Sequence, residues 1–475
     1  MADPGLAHAL LQGLVTGSYV ALGAIGLGLV YNIAKVPNFA HGELLMIGAY
    51  FAFLVNQPWE LPIFQHLAEE GVLGLAILGF FFVVTVGATL GIFYLLGGMR
   101  ALKGSWWPIK VNPYVALFVH VMIAIAAGVF VIFSAPTVTA GLIFSTILVA
   151  GLSPLLDKFL FRRLRSAQAT LVTLLIVTMG LAFILRYSAQ ALFTGSVRRF
   201  DFPRVVDIFG YEVNMFHFKE FDFFVGNGGV TLHVFDTAIN QTITTVQYSW
   251  LMVAILLIGT VSAGAAGWRL RSGESEGIKT IRTIGPKIAA GFAAFMTFAI
   301  LALILAQPAS NPTDYFYSTQ IRNSYFRIGM IVLAVILMFL LHVLLRETKL
   351  GKAMRASADN LDLAKVTGID TNRVMMTTWI IAGAFAAISG VIVGLLFHQI
   401  RPLMGFFLLL PLFAAVILGG LRSIYGAIVG AYVVGIAMEI GVLQLGIDPI
   451  HRPSIAFLLL ILVLLVKPEG IVGGR

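Results

Sequence analysis

The sequence predicts an all-α polytopic membrane protein with about 11–13 transmembrane helices, and three observations carry that expectation. Of its 475 residues, 59% are hydrophobic and only 11% are charged, against about 25% charged in soluble domains. The apolar residues are gathered into runs of membrane-spanning length rather than dispersed. Backbone groups in lipid must be satisfied internally, which makes such runs helices. The same composition excludes a disordered chain, which is poor in apolar residues and rich in charge. With no cysteine in the chain, a disulfide framework, an iron–sulfur cluster and a thiolate zinc site are excluded as well.

Taken in order, the runs fall at roughly 6–30, 42–56, 72–96, 114–133, 137–160, 169–192, 250–267, 288–306, 327–346, 374–396, 405–420, 425–443 and 454–466. The first follows Met1–Pro4, which is acidic rather than basic, so it reads as a retained signal-anchor span. The runs at 42–56, 405–420 and 454–466 are short for a bilayer and are expected to be re-entrant or tilted. Basic residues then set the orientation. With thirteen spans, Arg100–Lys110, Lys158–Arg165, Arg269–Lys287 and Arg346–Arg373 share one side with Lys35, Arg422, Lys467 and Arg475. That side holds 22 of the 31 Lys and Arg residues and the other side eight. The positive-inside bias makes it cytoplasmic, with the N-terminus outside. The net charge of +9 therefore sets topology, and no nucleic acid is expected. Residues 193–249 form a long outer segment whose aromatic content favours an ordered cap, and Ser272–Ile278 is a polar cytoplasmic linker.

No GxxxxGK[ST] phosphate loop, HExxH, GxSxG or dinucleotide fingerprint occurs, so the chain is not expected to bind ATP or to be an enzyme, and no cofactor is expected. Movement of a solute across the membrane remains. Arg186 is the one basic residue well inside a span; it and Glu439, near an outer helix end, are expected to snorkel to polar surroundings. Asn38-Phe39-Ala40-His41-Gly42-Glu43 is a polar break between two apolar runs. Such a break is either a solvated turn or irregular backbone beside a translocation path, where Asn38, His41 and Glu43 would sit. The pairs Gly13/Gly17 and Gly426/Gly430 fit close helix packing. The cytoplasmic segment 347–374 is amphipathic and basic; Leu361, Ala364, Val366 and Ile369 offer apolar contacts, with Lys352, Arg355, Asp359 and Asp362 exposed.

Three blocks together resemble the permease subunits of branched-chain amino acid ABC transporters. They are Gly13–Leu22 running into Asn38–Glu43 (NFAHGE) and Met46–Tyr50; Leu350–Ala356 with Gly368–Val374; and Ala414–Ala427, with its LGGxxSxxGA pattern. In addition, Asp362-Leu363-Ala364-Lys365-Val366-Thr367-Gly368 is similar to the EAAxxxG loop of ABC importers, with Leu363 in place of the first Ala. The likeness covers about 1–56, 137–192 and 327–475. It implies one transmembrane permease domain over 1–475, with inserted helical hairpins at 72–133 and 250–325, an extracytoplasmic loop at 193–249 and a coupling loop at 347–374. It further implies two ABC ATPase subunits, a second related permease or another copy of this chain, and an extracytoplasmic substrate-binding protein, assembled in a bacterial inner membrane. Arg355, Asp362, Ala364 and Gly368 would couple to the ATPases. The solute would be a branched-chain or other hydrophobic amino acid. Permeases for urea or short amides, and a self-sufficient channel or secondary transporter, stay open as alternatives.

Overall fold

The computed structural model describes residues 4–60, 73–96, 113–135, 137–202, 205–208, 211–214, 218–236, 241–272, 294, 297–298, 300–309, 317–421, 423–467 and 470. It divides into two compact units, 12–203 with 330–475 and 1–11 with 204–329. The expected basic loop at 100–110, nearly all of the linker at 272–278, most of the run at 288–306, Arg422 and Arg475 lie outside the described residues.

The helices, in order, are α1 (Pro4–Ala34), α2 (His41–Asn56), α3 (Leu73–Leu95), α4 (Pro113–Ser134), α5 (Val138–Leu156), α6 (Leu171–Phe193), α7 (Trp250–Ser272), α8 (Tyr325–Glu347), α9 (Lys349–Asp359), α10 (Leu361–Val366), α11 (Thr371–Leu396), α12 (Met404–Gly419), α13 (Ile424–Leu445) and α14 (Arg452–Val466). Among the described residues, nine helical stretches are long and apolar enough to cross a membrane. The expected runs at 42–56, 250–267 and 405–420 are shorter helices or parts of one. The protein is thus a polytopic α-helical membrane protein. Several starts are set locally by a side chain that satisfies free N–H groups. Thr137 caps α5, Thr170 caps α6, Asp370 caps α11 and Ser423 caps α13.

In the larger unit α1 is central, with most of its length buried. Lipid gives no hydrophobic drive between helices, so small residues and close approach hold them together. Gly13 and Gly17 of α1 face Ile436 and Tyr432 of α13, and Gly435 of α13 lies against Gly17. Gly426 and Gly430 of α13 lie against Gly419 and Ala415 of α12. Both glycine pairs expected to pack helices do so. The α3–α4 hairpin packs on α5, where Val55, Ile77, Phe81, Val131, Ala140 and Phe144 form one apolar cluster. Pro154 lies inside α5, where its missing N–H leaves the Ala150 carbonyl without its helical donor, and a π turn follows at Asp157–Phe161.

The smaller unit carries strands β1 (Val205–Ile208), β2 (Tyr211–Asn214), β3 (Phe218–Gly226), β4 (Gly229–Asp236), β5 (Gln241–Tyr248), β6 (Gln307–Pro308) and β7 (Tyr317–Ser324). β1 and β2 pair with each other; the rest form one sheet ordered β6-β5-β4-β3-β7, antiparallel throughout. The β3–β4 hairpin closes on Asn227-Gly228, with Gly226 opposite Gly229, the dipeptide that best fits a two-residue turn. β5 is rich in β-branched residues, as in QTITTVQY, which suit a pleated surface. These strands are a small β addition to a described structure that is otherwise helical, as expected for the chain. Short strands give a far weaker sequence signal than long apolar runs.

Candidate functional site

Two helices begin inside the bundle rather than at its edge. Lys35 takes a left-handed conformation with φ of 55°, and the chain turns back from the end of α1. Residues 36–38 carry no regular structure, and Val36, Asn38, Ala40 and His41 are buried. Three contacts hold this segment: Thr178 Oγ1 of α6 donates to Pro37 O at 3.2 Å, Asn38 Oδ1 accepts from the Ala40 N–H at 3.1 Å, and His41 Nε2 donates to Gly23 O at 3.0 Å. Gly23 stands eleven positions before the end of α1, about 16 Å at a helical rise of 1.5 Å per residue. So α2 starts about half-way through a hydrocarbon core of roughly 30 Å. Similarly, the chain leaves α11, pairs Ile400 with Arg198 in an isolated bridge, turns through 401–403 and starts α12 at Met404. Gly42 and Gly405 meet there so closely that a Cβ on either would strike the other's carbonyl group. Two 16-residue helices therefore leave one point in opposite senses. The end of α2 lies near the outer residues, where Asn56 Nδ2 donates to Asp201 O at 2.7 Å, and α12 ends against Gly426 at the start of α13.

Glu43 occupies the first turn of α2 and lies beside Gly405 in the first turn of α12. Both helix starts favour an anion there. Its carboxylate pairs with the Arg186 guanidinium of α6, which also lies over the rings of Phe183 and Phe406 at 5.6 and 5.3 Å. Arg186 is 9% exposed, so the expectation that it snorkels outward is corrected. Opposite charge within the bundle costs less than a long reach to water. Nor is the Asn38–Glu43 break a solvated turn, since Asn38, His41 and Glu43 are all buried. Glu439 of α13 is buried too; it accepts from Thr16 Oγ1 at 2.7 Å and from Arg452 Nη2 at 2.9 Å.

Above this layer lies a cavity of about 720 Å³. Its floor includes Tyr19, Val393, Leu408 and Met438, which are buried. Arg186 and Arg452 reach it, and Arg401, Gln190, Gln399 and Tyr187 stand around it. Asn38, His41 and Glu43 are not among its lining residues; Glu43 bears on it through Arg186. Arg401 and Gln399 were missed at the sequence level because a single Arg in a short loop carries no pattern. Arg186 and Glu43 could have been paired, since each is a lone charge in or beside an apolar run and their signs are opposite. Among the described residues no group of three His, Asp or Glu side chains is placed to hold a metal ion.

On the basic side, α9 and α10 form a helical elbow. Thr348 caps α9, and Asn360 caps α10 by accepting from the Asp362 and Leu363 N–H groups. Ala364 is 3% exposed and anchors α10 to the bundle, whereas Leu363 is 61% and Val366 86% exposed. The expectation that Val366 packs inward is thus corrected: with Ala364 inward, helical geometry turns the residue two positions on to the far side. Asp362 is exposed and pairs with Lys365 at 3.3 Å. Arg355 is turned back onto its own chain, donating to Leu345 O at 2.6 Å, and so also closes the end of α8. Gly368 ends α10 with φ of 85° and no neighbour within 4 Å of where a Cβ would stand; its N–H bonds Lys365 O and that of Ile369 bonds Ala364 O. Gly368→Val is therefore expected to cost about 1–2 kcal/mol through backbone strain alone. Faster proteolysis between α10 and α11 reads this out, and unchanged cleavage would contradict it.

The chain matches the family described as branched-chain amino acid transport system / permease component over residues 9–466. It is 31% identical over 241 residues to the high-affinity branched-chain amino acid transport system permease protein LivH of Escherichia coli, covering 48% of this chain and 77% of that one. It is 30% identical over 232 residues to the corresponding protein BraD of Pseudomonas aeruginosa, covering 47% and 75%. Similarity extends to the fructose import permease protein FrcC of Rhizobium meliloti, 29% identical over 137 residues, covering 27% and 37%. No solved structure gives a significant match.

Proposed function

The chain belongs to the permease-component family of branched-chain amino acid transport systems, and from that premise we propose that it is the membrane-spanning subunit of an ATP-driven importer. It works beside a second permease, related or identical, with two ABC ATPase subunits on the basic side and a solute-binding protein outside. The solute is a branched-chain or other hydrophobic amino acid. The observation that carries the ATP-driven part is α10. It is a short, doubly capped helix on the side rich in Lys and Arg, held by Ala364, with Leu363 and Val366 turned away from the bundle. A rigid helix with two exposed apolar side chains suits a groove on a partner and passes on that partner's movement. Asp362 and Gly368 frame this face, and Arg355 fixes the elbow behind it.

Residues 72–133 and 250–325 are insertions into the shared permease, consistent with 48% of this chain accounting for 77% of the E. coli relative. An ion-coupled secondary transporter would use an ionisable group free to load and unload at mid-depth. Glu43, at that depth, is held by Arg186, which favours the ATP-driven reading. The complex purified from its host should contain two ATPases and take up leucine with ATP in proteoliposomes. Val366→Glu should reduce that uptake about tenfold or more, as loss of a central apolar contact does, with the chain still inserted. Unimpaired uptake in Val366→Glu would remove α10 as the coupling element.

A further inference from the structure

Three arginines reach the outer cavity, but their charges are not equivalent. Arg186 is paired with Glu43 and Arg452 with Glu439, so each of these two is compensated. Arg401 lines the same cavity from the turn into α12 and has no side-chain hydrogen bond or ion pair among the described residues. No Asp or Glu is among the lining residues. Of the three arginines, Arg401, which is exposed, is therefore the one with no opposite charge paired to it among the described residues. Beneath it the surface is apolar, with Val393, Leu408 and Met438 buried and Phe397 and Phe407 half open. Gln190 and Gln399 line the same cavity, and neither amide has a side-chain partner among the described residues.

We propose that, within this cavity, Arg401 is the residue that binds the carboxylate of the solute. The proposal rests on the permease reading and names the residue that would hold the solute's charged end. A guanidinium meets a carboxylate through two parallel N–H···O bonds, stronger than bonds between neutral groups. An apolar side chain leaving water for the Val393–Leu408–Met438 floor adds the hydrophobic gain. Urea or a short amide satisfies neither requirement, because it brings no negative charge and little apolar surface. An α-ammonium group finds no carboxylate in the cavity; the amide oxygens of Gln190 and Gln399 are its acceptors. Recognition thus depends on the carboxylate more than on the ammonium.

The test is equilibrium binding of radiolabelled leucine to the assembled transporter in nanodiscs, without the external binding protein. Two competitors separate the ends of the molecule: 4-methylpentanoate keeps the carboxylate and lacks the ammonium, and leucinamide does the reverse. The expected result is competition by 4-methylpentanoate and little by leucinamide. Arg401→Gln should weaken leucine binding about tenfold or more, with Arg401→Lys recovering part of it. Gln399→Glu, which compensates the charge without removing Arg401, should give a similar loss. Equal competition by leucinamide, wild-type leucine affinity in Arg401→Gln, or no leucine binding to the wild type would each overturn the proposal. ATP-driven leucine uptake by the same complex reconstituted into proteoliposomes, with the binding protein added, distinguishes the two readings. If uptake proceeds while the binding results fail, only the Arg401 site falls; if uptake fails as well, the permease reading falls with it.

Discussion

Glu43→Ala is expected to destabilise the bundle by about 3–5 kcal/mol, the cost of leaving one member of a buried pair without its counter-charge. The stranded group would be Arg186, which is 9% exposed and enclosed by Phe183 and Phe406. Thermal unfolding of the detergent-purified protein measures the loss, and a melting temperature equal to the wild type would contradict the pairing. Replacing both partners, Glu43→Leu with Arg186→Leu, should restore most of the stability, because two apolar groups leave no buried charge behind. Transport is not expected to return with it. The pair stands where two helix starts meet, at the inner end of the cavity that Arg186 lines. On the importer reading proposed above, a switch between outward- and inward-open states would move those starts, and an apolar plug would hold them without a charge to reposition.

A second large effect is expected at Gly405. Even the single methyl group of Gly405→Ala would strike the backbone carbonyl of Gly42, and backbone cannot yield as the tip of a flexible side chain does. Overpacking at such a point costs about 1–3 kcal/mol, or the helices move apart. Either way the geometry of Glu43 beside α12 is lost, and uptake should fall to near background. Gly91→Ala provides the comparison: nothing lies within 4 Å of the added atom, and uptake should be unchanged. Normal uptake in Gly405→Ala would show that the two helix starts need not touch.

Much of the membrane bundle was legible because hydrophobic run length reports directly on lipid. The short runs at 42–56, 405–420 and 454–466 were expected to be re-entrant or tilted; the third belongs to a helical stretch long enough to cross a membrane, and the first two are the helices that start inside. Their meeting was not legible. Gly42 and Gly405 stand more than 360 positions apart, and a lone glycine carries no mark of its partner. Arg186 and Glu439 were assigned by distance from a helix end, a rule that holds when water is the nearest polar group. Here Glu43 is nearer to Arg186, and Thr16 and Arg452 are nearer to Glu439. In the 347–374 segment Ala364 was expected to face the bundle and does, whereas Val366 was expected there too and is exposed. Ala364, Leu363 and Val366 are all apolar, and only the packing of α10 decides which one faces the bundle.

The sheet of the smaller unit has a consequence for how the protein is made. β3 sits between β4 and β7, yet β4 follows it at once while β7 begins at Tyr317, some ninety residues after β3 ends at Gly226. At a ribosomal rate of about 5–20 residues per second, one edge of β3 waits roughly 5–20 s for its neighbour. During that interval α7 is also made. An unpaired edge is a template for wrong pairing with any extended chain nearby, so the nascent protein passes through a stage in which its outer face needs shielding. Deletions placed between β5 and β7 would change that delay as well as the finished structure, and yield of folded protein would register them before transport did.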